Sequence, residues 1–325
     1  LVILEVKMKS SAGLHHVTAV ARDPQKNIDF YQQVLGQRLI KTTVNFDDPG
    51  TYHLYYGDWL GSPGTILTFF PWQHVKPGVL GNGETSALSY QIDPQSISFW
   101  QVRLKQFGFM PGKVESRFET DVLPFQDPEG MRLELVTTPS PAPVTVWKDG
   151  PVPPESAIFG FDGVSLWVDE IDSTATLLTQ VLGYQFIGQE GQRYRYVAPE
   201  KSAGAIVDLI HRPTGSRGQF GAGSIHHIAF RAKDTEHQLA LRDLILQHGI
   251  GVTEVINRSY FRSIYFRVPA GILFEIATDQ PGFSIDEKTE ELGQRLCLPP
   301  WFEDRREQIE SLLPPIRRTL EPVYK

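Results

Sequence analysis

The chain has 325 residues, 41% of them hydrophobic and 21% charged, which excludes disordered and fibrous classes and suits about two domains or one domain assembled from repeated modules. Its formal net charge is -7, with Lys and Arg scattered, so it carries no electrostatic footprint for nucleic acid, and small molecules or proteins are the expected partners. A single cysteine, Cys297, excludes an internal disulfide and thiolate metal clusters, leaving histidine and carboxylate as metal ligands.

No apolar run approaches the roughly 20 residues of a membrane span. The opening Leu1-Val2-Ile3-Leu4 is broken at once by Glu5 and Lys7, too short for a signal-peptide core, so a cytoplasmic protein is expected, with Met8 as a candidate natural start.

From residue 13 onward the chain repeats one plan four times. In residues 13–70 an apolar strand (14–20) is followed by Asp23-Pro24, a good helix opening, then Ile28, Phe30, Tyr31, Val34 and Leu35 on one helical face, with Gly36 just past the end. Three strand-like runs follow at 38–45, 51–56 and 65–70, separated by Asp47-Asp48-Pro49-Gly50 and Gly61-Ser62-Pro63-Gly64. The same β-α-β-β-β pattern returns at 85–137, at 160–211 and at 223–278, where a helix is expected over 236–248. The predicted fold is α+β: four βαβββ modules forming two domains. These are an N-terminal domain (13–138), a Pro-rich linker (139–158), a C-terminal domain (159–280) and a partly helical tail (281–325).

Each module's last strand begins at a glycine (Gly64, Gly130, Gly204, Gly271), and four residues on stand Thr68, Glu134, Asp208 and Glu275. Glu134 and Asp208, taken alone, read as solvent-facing residues of amphipathic strands. Glu275 lies among Ile272, Leu273, Phe274 and Ile276, and a carboxylate so covered needs a cation or metal. On the first strands, His16 and His227 hold equivalent places, where modules two and three have Ser89 or Tyr90 and Gly163 or Val164.

A lone histidine on an apolar strand is more often a core residue than a ligand. Two at equivalent repeat positions, with a carboxylate closing the same repeat, point the other way. Pairing module one with four gathers His16, Thr68, His227 and Glu275, and it alone uses both imidazoles. Pairing one with two gives His16 and Glu134, and pairing three with four gives His227, Asp208 and Glu275. Two imidazoles and one carboxylate with open positions suit Fe(II), with Mn(II) tolerable and Zn(II) compatible with the ligand types.

These residues carry a resemblance. Leu-His-His-Val-Thr at 14–18, Ile-His-His-Ile-Ala at 225–229 and Phe-Glu-Ile at 274–276 resemble the vicinal oxygen chelate, or glyoxalase, superfamily. Within it the chain is most similar to ring-cleaving dioxygenases that include the hydroquinone 1,2-dioxygenases, a likeness that extends into the tail at 298–302 and 313–315.

The resemblance implies Fe(II) held by His16, His227 and Glu275, with His226, Tyr265 and Arg258 near a small aromatic substrate that reacts with O2. His226 poses a geometric problem, because neighbouring strand residues point to opposite faces. It reaches the site if the strand twists or the substrate lies to one side; otherwise it is a hydrogen-bonded histidine behind the sheet, the reading preferred for His15. Tyr265 is a donor toward a phenolate oxygen or an aromatic at a module seam, and Arg258 an anchor for an anionic oxygen or part of a solvated turn. Trp72, Phe220 and Phe261 are candidate pocket walls that read more readily as core.

The charged segment from Asp286, with a short helix between proline pairs, reads as packing over a cleft mouth or another subunit, helical packing without catalytic duty being preferred. Two other functions fit the scaffold: a glyoxalase-like metal-dependent isomerase or lyase, and a non-catalytic small-molecule binding protein. The family's glyoxalase I chemistry uses two glutamates, where the preferred pairing offers one Glu and a Thr. Exposed module edges are compatible with a homo-oligomer.

Overall fold

The computed structural model describes residues 10–139, 141–200 and 202–318, so the reading of Leu1–Leu4 and Met8 lies outside the described residues. Among the described residues sixteen strands form two curled eight-stranded sheets. Module one contributes β1 (Leu14–Ala21), β2 (Arg38–Asn45), β3 (Asp48–Gly57) and β4 (Ile66–Pro71). Module two contributes β5 (Glu84–Ile92), β6 (Glu115–Arg117), β7 (Thr120–Gln126) and β8 (Arg132–Thr137). Module three contributes β9 (Phe161–Val168), β10 (Gln185–Glu190), β11 (Arg193–Val197) and β12 (Ile206–His211). Module four contributes β13 (Ile225–Ala232), β14 (Ile256–Asn257), β15 (Arg262–Arg267) and β16 (Leu273–Thr278).

Within a module the first and last strands pair in parallel, which requires a crossover, and the helix after the first strand provides it. In module one Asp23 accepts hydrogen bonds from the N–H groups of Gln25 and Lys26 and Pro24 opens helix α1 (Pro24–Ile28). The helix then widens into a π-helical turn, Asp29–Val34, and Gly36 takes a left-handed φ of 67° to end it. Modules two and four have ordinary helices, α2 (Ile97–Gln106) and α4 (Thr235–Gln247), whereas module three repeats the widened form with α3 (Asp172–Thr176) and Leu177–Val181. The expected turn at 47–50 is shorter than read, since Asp48 already belongs to β3.

The sheets do not follow the halves of the chain. One runs β14-β15-β16-β13-β1-β4-β3-β2 and the other β10-β11-β12-β9-β5-β8-β7-β6, so β1 meets β13 and β5 meets β9, both antiparallel. Module one therefore shares a concave face with module four, and two with three. Every residue of β1 is buried, as expected of a strand covered on both faces.

The tail packs on the outer strands of module one. Lys41 of β2 has no exposed side-chain surface and donates to Asp286 and Glu287, each at 2.5 Å, with Cys297 Sγ at 3.8 Å. Burial pushes the Cys297 thiol up to about 12, so it stands as a neutral packing group. A 3-10 turn (Pro300–Arg305) leads into α5 (Arg306–Leu312), and the Tyr52 hydroxyl donates to the Pro314 carbonyl. Among the described residues no helix is long and apolar enough to cross a membrane.

Candidate metal centre and its pocket

At the β1–β13 seam His16 lies opposite Ala229 and Thr18 opposite His227, while Glu275 pairs with Ala229 on the neighbouring β16. This register brings His16, His227 and Glu275 together, all buried. Glu275 Oε2 lies 2.9 Å from His227 Nε2 and 3.3 Å from His16 Nε2. These approaches lack hydrogen-bond geometry, and Oε2 stands as a buried acceptor without a hydrogen bond, whereas Oε1 receives one from the Ser263 hydroxyl.

The far ring nitrogens explain the doubled histidines. His16 Nδ1 is 2.9 Å from His15 Nδ1, and His227 Nδ1 is 2.7 Å from His226 Nδ1. Burial lowers the pKa of His15 well below the ordinary imidazole value and that of His226 to about 3, so both are neutral acceptors for the Nδ1–H of the next residue. Those hydrogen bonds turn the proton-free Nε2 atoms of His16 and His227 toward Glu275. Burial alone would raise the Glu275 pKa; what lowers it is positive charge between the carboxylate and the two imidazole nitrogens, the place a cation would take. Three lone-pair donors with no proton between them form a site that fits a metal cation.

How adjacent histidines can touch follows from the register. The β1–β13 ladder shifts between Leu14 and His16 and again between Thr18 and Ala19, leaving His15 on one strand and His226 on the other as unmatched bulge residues. A bulge breaks the strict alternation of faces, so His226 reaches the pocket while His15 stays buried behind His16.

The pocket above the triad is a cavity of about 400 Å³, lined in part by Phe70, Trp72, Phe261 and Tyr265. Trp72 and Phe261 are thus walls rather than core alone, and half-exposed Phe220 packs edge-on to His226 beside it. Arg258 is not in a solvated turn: its Nε donates to the Tyr265 hydroxyl at 3.2 Å and its Nη1 to Asp47 at 3.1 Å. Burial and the nearby Glu275 charge keep Tyr265 protonated, its pKa raised. A larger, more open groove of about 830 Å³ lies between the tail and Tyr52, and among the described residues no metal-ligating cluster lines it.

Sequence reasoning missed His53 and Tyr55. His53 lines the cavity, its Nε2 2.8 Å from Thr68 Oγ1 and its Nδ1 2.9 Å from the Tyr55 hydroxyl. Tyr55 pairs with Thr68 as Tyr265 pairs with Glu275, so His53 stands where Ser263 stands in module four. The shared aromatic-bearing strands Tyr52-His53-Leu54-Tyr55 and Arg262-Ser263-Ile264-Tyr265 were the available signal.

The second sheet corrects two readings. Its first-strand positions opposite each other are Ala87 with Ser165 and Ser89 with Gly163, so Ala87, not Ser89 or Tyr90, matches His16. Glu134 and Asp208 are buried, not solvent-facing. Arg117 donates to Glu134 at 2.6 Å, and Arg193 and Arg195 each donate to Asp208 at 2.8 Å, so guanidinium groups supply the cations there.

Buried neutral imidazoles make the protein acid-sensitive. His15, His53, His226 and His227 all have folded pKa values below the 6.5 of the free side chain, burial being the first cause. A depressed folded pKa favours the native state fully above 6.5 and loses that contribution as pH falls toward the folded value. Asp127 and Asp162, raised to about 6 by burial, act oppositely, losing their contribution as pH rises through 6. The five lowered imidazoles, His237 included, outnumber the four raised carboxyls, Asp29 and Glu84 included, so the melting temperature of metal-free protein should fall between about pH 6.5 and 4. A flat profile there would contradict neutral imidazoles.

Comparison with known proteins gives the family. The model for the glyoxalase/bleomycin resistance protein/dioxygenase superfamily matches residues 13–135 and 160–276. The chain belongs to that superfamily. It is 48% identical over 310 residues to the candidate ring-cleaving dioxygenase MhqO of Bacillus subtilis (strain 168), covering 94% of this chain and 97% of that one. It is 32% identical over 305 residues to the chlorohydroquinone/hydroquinone 1,2-dioxygenase of Sphingobium indicum, covering 91% of this chain and 94% of that one. A crystal structure of a candidate dioxygenase from Bacillus subtilis superposes with a TM-score of 0.92 at 45% identity, covering 96% of this chain and all of that one.

Proposed function

We propose that the protein is a ring-cleaving dioxygenase of the extradiol type that uses Fe(II), held by His16, His227 and Glu275, to insert O2 into a hydroquinone-type phenol. The observation that carries this reading is the convergence of two imidazole Nε2 atoms and a carboxylate oxygen beneath an aromatic cavity. The hydroquinone dioxygenase among the relatives supports the substrate class. The chemistry that bound Fe(II) supplies is Lewis-acid activation of a phenol and electron exchange with O2.

The chain's own residues supply walls, orientation and proton traffic. Phe70, Trp72 and Phe261 hold an aromatic ring against the triad and exclude water around it. His53, neutral and held by Thr68, is the base that takes the phenol proton through Tyr55: the phenol gives its proton to the Tyr55 hydroxyl oxygen as that hydroxyl passes its own to His53 Nδ1. Tyr265 accepts from Arg258 and keeps its own proton to donate to a substrate oxygen. His226, whose Nδ1 accepts from His227, carries its proton on Nε2 and donates a hydrogen bond that orients a substrate oxygen. Thr68 is tied to Thr18 and His53, which leaves three protein ligands and disfavours an isomerase built on two glutamates.

The test is oxygen uptake by anaerobically Fe(II)-loaded protein given hydroquinone or catechol, with His227→Ala as control. Uptake with a new ring-fission chromophore, lost in the variant, is expected. Iron bound without uptake would favour the isomerase or lyase reading, and a protein that takes no metal would remove the triad and favour a binding role.

A further inference from the structure

Arg258 is the one Lys or Arg that lines the cavity, and Asp47 the one lining carboxylate, among the described residues. They come from opposite sides of the mouth: Asp47 from the β2–β3 turn of module one, Arg258 from the loop between β14 and β15 of module four. Arg258 Nη1 donates to Asp47 Oδ2 at 3.1 Å, the arginine 20% exposed and the aspartate 77%. Arg258 would otherwise present a planar guanidinium to an aromatic pocket, which is a ready anchor for a ring carboxylate.

The turn that carries Asp47 is held, not loose. Asp47 N–H donates to Asn45 Oδ1 at 3.0 Å, Thr51 and Trp72 Nε1 donate to Asp48 at 2.7 and 3.3 Å, and Phe46 packs edge-on to Trp301 and Phe302 of the tail. Asp47 is therefore presented to Arg258 by built contacts on three sides.

We propose that Asp47 is a specificity-determining residue that makes the site select neutral phenols and turn away phenols bearing a ring carboxylate. The inference rests on the phenol-binding reading above. Asp47 and Glu275 with Arg258 sum to one negative charge; a divalent ion in the triad brings the site to one positive charge, which a single phenolate cancels. A carboxylate on the ring adds an uncompensated charge beside Phe46, Phe70, Trp72 and Phe261, where charge is costly. Because Asp47 is mostly solvated, its influence is that of a screened pair, a change of about three- to tenfold in relative affinity.

The experiment is anaerobic calorimetric titration of metal-loaded protein with 4-methylphenol and 4-hydroxybenzoate, whose para groups cannot chelate the metal together with the hydroxyl. Wild type should prefer 4-methylphenol. Asp47→Asn should shift the ratio toward 4-hydroxybenzoate by about three- to tenfold, less at high salt, and Asp47→Glu should retain the wild-type ratio. A ratio within twofold of wild type in Asp47→Asn, or equal weakening of both probes, would overturn the proposal and leave the phenol reading standing. Failure of both probes to bind wild type would overturn both.

Discussion

Glu275→Gln is expected to abolish tight metal binding while the protein stays folded. The amide occupies the same volume, and Ser263 can still donate to the oxygen it now contacts, so no cavity opens in the sheet. What disappears is the one anion of the triad, in a site where Glu275 has no exposed surface to recruit water instead. Altering residues outside the ligand sphere already costs metal sites about 10- to 100-fold in affinity, so losing a charged ligand should cost at least about 100-fold. Metal analysis after dialysis should give about one iron per wild-type chain and close to none for the variant. Metal present at about 100 times its dissociation constant should stabilise wild type by about 2.7 kcal/mol, a rise of several degrees in melting temperature, and leave the variant unmoved. Retention of full metal by the variant would mean that the ion sits elsewhere, and the second sheet supplies a check. There Glu134 and Asp208 are already paired with arginines, so they should not compensate.

The triad was legible because it repeats: His16 and His227 recur at one module position, and Glu275 closes the strand beside His227 in an apolar setting. The choice of module one with four followed from asking which pairing used both imidazoles, and the β1–β13 seam carries that pairing. His226 was not resolvable in sequence, because strict alternation sends it away from the site, and only a shift of register, set by the partner strand, overrides the period of two. Glu134 and Asp208 misled for a related reason. Their arginine partners come from neighbouring strands, Arg117 on β6 and Arg193 and Arg195 on β11, at separations that no local pattern links. The tail was read as packing over a cleft mouth or another subunit, with plain helical packing preferred, and Trp301 and Phe302 do pack on Phe46 in the turn that carries Asp47.

His53→Phe should lower kcat by about 100- to 10,000-fold with metal content unchanged, the range for losing a general base. His53 contributes no atom to the triad, so the iron stoichiometry should match wild type, and the phenyl ring fills the volume against Tyr55 and Phe70, whose rings lie 4.1 and 4.3 Å from it. The fault is in proton transfer. In the native protein both ring nitrogens are engaged, Nδ1 by the Tyr55 hydroxyl and Nε2 by Thr68. Together with burial this makes His53 a neutral imidazole fixed in orientation beside the cavity. Without it a phenol must lose its proton to water, so the variant's rate should rise with pH as solvent deprotonates the substrate, whereas wild type has its base already in place. His53→Gln, which keeps polar contacts to Thr68 and Tyr55 but cannot accept a proton at neutral pH, separates positioning from base chemistry. If Gln restores most of kcat, His53 positions; if Gln and Phe fall together and share the steeper pH profile, His53 is the base. A kcat within threefold of wild type in both variants would place proton removal on His226 or Tyr265 instead, and the same rate and metal measurements on His226→Phe and Tyr265→Phe would then assign it.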